Sequence, residues 1–77
     1  MEIGMMWFDN DPKAALDVKL LRAAEYYAKK YGQKPNVAVV SVKDLGGGVL
    51  VESNGMRVES MRAIMPGHLW IGVEAAP

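Results

Sequence analysis

Cysteine is absent from the 77 residues of this chain, which removes disulfide staples and thiolate metal sites. A structural zinc would have to rest on the single histidine, His68, together with carboxylates, a poor ligand set for that ion. Excess charge is also missing. Nine basic residues balance nine acidic ones, so no broad electrostatic footprint for DNA or RNA is expected. Apolar runs such as Val37-Ala38-Val39-Val40 are short, far below the ~20 residues a membrane-spanning helix needs. The start, Met1-Glu2-Ile3-Gly4, shows neither the basic stretch nor the apolar core of a secretory signal. The expected compartment is the cytoplasm, whose reducing conditions suit a cysteine-free chain.

What is present has the balance of a globular domain: 51% hydrophobic residues against 23% charged. One domain, residues 1–77, is expected, with no cofactor. A domain this small buries only about 60–65% of the surface its unfolded chain exposes. Additional stabilisation is therefore expected, and with disulfides and zinc set aside, self-association is the first source to expect.

Ile3 to Phe8 is apolar on both parities and predicts a strand covered on at least one side. Asp11-Pro12 predicts a helix starting at Pro12 with Asp11 as its cap. Gly32, with Pro35 soon after, ends it near Tyr31. Leu16, Leu20, Ala24, Tyr27 and Tyr31 form its apolar stripe, widened by Leu21, Ala23 and Ala28. Val37–Val40 is a second strand, buried on both faces and parallel to the first, with room for another strand between them. Ser41–Leu45 either continues that strand or forms a helical turn, and Gly46-Gly47-Gly48 is a loop.

Val49–Ser53 and Met56–Glu59 flank Asn54-Gly55, the pair that a two-residue hairpin turn favours because both positions need positive φ. Val49 and Val51, with Met56 and Val58, are expected on its buried face. Arg62–Met65 is a connector stopped by Pro66-Gly67, and His68–Glu74 is a last strand with Leu69, Ile71 and Val73 inward. Ala75-Ala76-Pro77 is expected to fray. The predicted fold is α+β: a two-layer sandwich with one amphipathic helix packed on a mixed four- to five-stranded sheet, in the order β-α-β-β-β-β.

One helix cannot cover both faces of such a sheet. The uncovered parity is expected to carry Met5 or Met6, Trp7 or Phe8, Ala38 or Val40, Leu50 and Trp70. Met6, Trp7, Leu50 and Trp70 are the candidate contacts of a self-association surface. The leading expectation is thus a non-enzymatic interaction or scaffold module that forms a homo-oligomer.

Two alternatives stand beside it. Arg22, Lys29, Lys30, Lys34, Arg57 and Arg62, near Tyr26, Tyr27 and Tyr31, suit a nucleic-acid accessory protein using phosphate pairing and stacking. Asp9 and Asp11, at the carboxyl end of a strand and beside a helix start, suit Mg²⁺ and a phosphate. This Asp9-Asn10-Asp11 segment resembles the Asp-x-Asp element of the haloacid-dehalogenase-like phosphatases. The resemblance implies a small Mg-dependent phosphoryl-transfer enzyme, with Asp9 as nucleophile and Asp11 as acid/base. Pro12-Lys13 stands where that family places Gly-Thr or similar, and the family's remaining residues ride on a far larger Rossmann-like core. The plainer reading makes Asp11 a cap and Asp9 or Asn10 an Asx-turn residue.

The glycine triplet lacks the lysine and hydroxyl that follow a phosphate-binding loop. Neither His68 nor Ser41, Ser53 and Ser60 has the sequence context of a nucleophile elbow.

Overall fold

A computed structural model describes residues 3–75. Residues 1–2, and the last two positions of the Ala75-Ala76-Pro77 end, lie outside the described residues. The elements run β1 (Ile3–Phe8), α1 (Leu16–Tyr31), β2 (Val37–Ser41), a short 3₁₀ helix (Val42–Leu45), β3 (Glu52–Ser53), β4 (Met56–Met61) and β5 (His68–Val73). The five strands form one mixed sheet in the order β1-β5-β2-β4-β3, with α1 packed against it. Because β5 is antiparallel to both β1 and β2, the first two strands are parallel with β5 between them. β2 and β4 are parallel neighbours.

α1 starts later than Asp11-Pro12 suggested. Asp11 does not cap it. Its Oδ1 accepts the amide of Lys13 at 2.9 Å, while Asp9 Oδ1 accepts the amide of Asp11 at 3.1 Å. These local bonds stabilise a turn over Asp9–Lys13 in place of a first helical turn. The helix therefore begins at Leu16, with Ala15 at the capping position and no side-chain cap. Its end is as expected, with Gly32 left-handed at φ 74° and its amide bonded to the Ala28 carbonyl.

The core lies between α1 and one sheet face. Leu20, Ala23 and Tyr27 of the helix pack against Ala38 and Val40 of β2, Met56 and Val58 of β4, and Leu69 and Ile71 of β5. Val37–Ser41 is buried at every position. Its centre is thus dry on both faces.

The hairpin turn is at Asn54-Gly55, both with positive φ, 53° and 79°, as an Asn-Gly turn requires. Its first arm is shorter than Val49–Ser53. The ladder holds Glu52 and Ser53, and one further bond joins the Val58 amide to the Val51 carbonyl. Val49 and Val51 are exposed, whereas Leu50 packs against the core. The expected inward pair is therefore reversed, because the chain leaves the pleat before Glu52 and parity no longer sets direction. Among the described residues, no helix is long and apolar enough to cross a membrane.

Candidate functional site

The sheet face away from α1 follows from the register. Across β1, β5, β2 and β4, one row reads Met6, Trp70, Val39, Glu59, and the next reads Gly4, Gly72, Val37, Arg57. Phe8 pairs with His68 at the far end of the β1–β5 ladder. The face is therefore graded, apolar near β1 and charged near β4.

Its middle is dry without a second layer. Val37 and Val39 are only 1% and 4% exposed. The Trp70 ring lies across the position of Gly4, where an added Cβ would fall 1.7 Å from Cζ2. Toward β4, Arg57 donates to Glu59 and to Glu74 at 2.6 and 2.7 Å. The aliphatic stem of such a clamped arginine covers apolar surface while its head stays in water. The open apolar area is thus narrower than a bare sheet face. It consists chiefly of Met6 and Phe8 on β1, each just over half exposed, with Met61 at the end of β4.

The four candidate contacts divide between the two faces. Met6 and Trp70 lie on the open face. Trp7 and Leu50 lie on the helix side, packed against the core cluster. Trp7 meets the Tyr26 ring at 5.1 Å between centroids, and its buried Nε1 has no acceptor among the described residues. The two tryptophans are on neighbouring strands but back different layers, because Trp7 is opposite Leu69 and Met6 is opposite Trp70. Of the alternatives Trp7 or Phe8, it is Phe8 that shares the parity of Met6 and lies on the open face. With Met5, Met6, Trp7 and Phe8 all apolar, alternation could not select the outward pair.

The sheet's two edges are unlike. β1 offers six residues, Ile3–Phe8, without a charge or a proline. The opposite edge is a two-residue strand carrying Glu52, reached from the glycine loop. Short length and charge protect an edge from further pairing. β1 has neither protection.

The acidic pair is already occupied. Arg22 reaches both Asp9 and Asp11, at 3.1 and 3.2 Å. The Asp11 amide, then Arg22, hold the Asp9 carboxyl below its usual range against the opposing effect of desolvation. For Asp11 the Lys13 amide leads and Arg22 follows. A guanidinium bound to both carboxylates occupies the place a cation would take. Among the described residues no cluster of three metal-ligating side chains occurs.

The basic candidates are dispersed. Arg22 and Arg57 each face two carboxylates, so each cluster is net negative. Lys29, Lys30 and Lys34 are exposed at the end of α1 and just before β2, and the Lys30 ammonium lies 5.4 Å from the Tyr31 ring centroid. Arg62 follows β4, beside the other end of β2. This is no continuous basic stripe. The His68 ring lies tilted against Phe8, 4.6 Å between centroids, with Nδ1 3.3 Å from the Pro66 carbonyl oxygen, a structural position at the start of β5.

Comparison with family models, with curated proteins and with solved structures finds no match for this chain.

Proposed function

We propose that the chain is a non-enzymatic protein-interaction module whose first partner is a second copy of itself, paired antiparallel along β1. The observation that carries this reading is the uncharged, unshielded β1 edge beside the exposed side chains of Met6 and Phe8. Two copies of one strand running antiparallel are related by a two-fold axis, so the surface is self-complementary without a second sequence. The pairing joins two sheets into one and brings both Met6–Phe8 strips onto the same face.

Area favours this mode over stacking of open faces. Met6, Phe8 and Met61 leave on the order of 300 Å² in water, taking about 200 Å² for each fully exposed side chain. A stable interface needs about 800 Å² per partner. The strip alone falls short, and an added row of backbone bonds and flanking side chains supplies more. The cysteine-free composition suits a reducing cytoplasm.

Sedimentation equilibrium over a series reaching hundreds of micromolar tests the reading. The wild-type chain is expected to show dimers. Met6→Lys and Phe8→Lys, which place charge on the edge strand, are expected to remain folded by circular dichroism and to move toward monomer. A strictly monomeric wild-type chain overturns it.

A further inference from the structure

The connector 62–67 carries the chain from the end of β4, past the end of β2, to the start of β5. Beside it lies a cleft of about 460 Å³, lined by Ser41, Lys43 and Arg62 and by an apolar wall that includes Ile64 and Met65. It sits at the carboxyl ends of the parallel strands β2 and β4. Its size is within the range of small-molecule sites.

The charge in this cleft is unspent. No acidic residue lines it. Among the described residues, neither Lys43 nor Arg62 has a carboxylate partner, whereas Arg22 and Arg57 have two each. Asp44, the acid nearest in sequence, accepts the Gly67 amide at 3.0 Å and lines a different cavity with Leu16 and Asp17. Ser41 is 1% exposed. Its Oγ accepts the Lys43 amide at 3.2 Å, and its hydroxyl proton has no acceptor among the described residues. Burying a hydroxyl with an idle donor costs free energy that a ligand acceptor would recover.

We propose that this cleft binds the anionic end group of a small molecule, phosphoryl or carboxylate, between Arg62, Lys43 and the Ser41 hydroxyl, with the remainder of the ligand against Ile64 and Met65. Arginine provides the planar fork that matches either oxyanion, and lysine a second positive charge. The site stands independently of self-association, since it uses none of β1.

Amide-shift titrations at low salt, one with inorganic phosphate and one with benzoate, test it on the full chain. Saturable shifts are expected at residues 41–43 and 62–65 with at least one probe, and the probe that saturates identifies the end group. Both cations are exposed, so Arg62→Gln and Lys43→Gln are expected to keep the fold. Each is expected to weaken binding by about tenfold, as for loss of a charge-assisted hydrogen bond. Ser41→Ala weakens it less, and added sodium chloride weakens it further. Shifts that never saturate, that gather instead on Lys29, Lys30 and Lys34, or that are unchanged by Arg62→Gln and Lys43→Gln overturn the proposal.

Discussion

The Trp70 indole occupies the space that a side chain at Gly4 would fill: Cζ2, Cε2 and Cη2 lie 1.7 to 2.4 Å from the position of an added Cβ. Glycine is a poor strand former, and here it is retained because a neighbouring ring comes so close. The ring therefore leans from β5 over β1 on the face that no helix covers, and the open margin is left to Met6 and Phe8.

Gly4→Ala must therefore displace the ring. In a Trp7→Phe background, where Trp70 is the only tryptophan, its emission is expected to shift to the red as the ring moves into water. Stability is expected to fall by about 1–3 kcal/mol, as for overpacking. An unchanged emission maximum would refute the contact.

The Arg22 clamp predicts a pH dependence with a definite sign. Both Asp9 and Asp11 titrate below the usual value of 3.8 in the folded state. Their contribution is fully present above the unfolded carboxylate range and is lost as pH falls through the folded values. Carboxyl NMR titration should give midpoints below 3.8 for both groups, rising in Arg22→Gln. The stability gap between wild type and Arg22→Gln should be present at neutral pH and shrink in acid. Midpoints that ignore the substitution would contradict the clamp.

At the hairpin, Gly55 has φ 79°. Gly55→Ala is expected to cost about 1 kcal/mol, the penalty for a left-handed non-glycine residue. Asn54→Ala removes in addition the bond from Nδ2 to the Asp17 carbonyl, 2.9 Å, which ties the turn to α1. Chemical denaturation of both variants checks this, and no loss for Gly55→Ala would speak against the turn.

Local signals in the sequence were legible, and long-range ones were not. The Gly32 stop and the Asn54-Gly55 turn each follow from interactions within a few residues, and each matches the structure. Of the helical stripe, Leu16, Leu20, Ala23, Ala24 and Tyr27 face the core, whereas Leu21 and Tyr31 are exposed. The helix start misled because Asp9 and Asp11 turn their Oδ1 atoms to the Asp11 and Lys13 amides in a turn of their own. Arg22, more than ten positions away, holds the Oδ2 atoms. The outward parity of β1 is hidden by four consecutive apolar side chains, which leave Trp7 or Phe8 open; Met6 and Phe8 hold that place, and Trp7 packs on the core. The Ser41–Arg62 cleft was invisible for another reason. It exists only because β4 lies parallel to β2, a pairing that no local pattern reports.

Self-pairing through β1 is tested most directly by amide hydrogen exchange, read residue by residue at low and high protein concentration. The account predicts that alternate amides of Gly4–Phe8, those turned away from β5, exchange more slowly as concentration rises, while those of Glu52 and Ser53 stay constant. Exchange along β1 that is the same at every concentration, or new protection confined to another part of the chain, would contradict it.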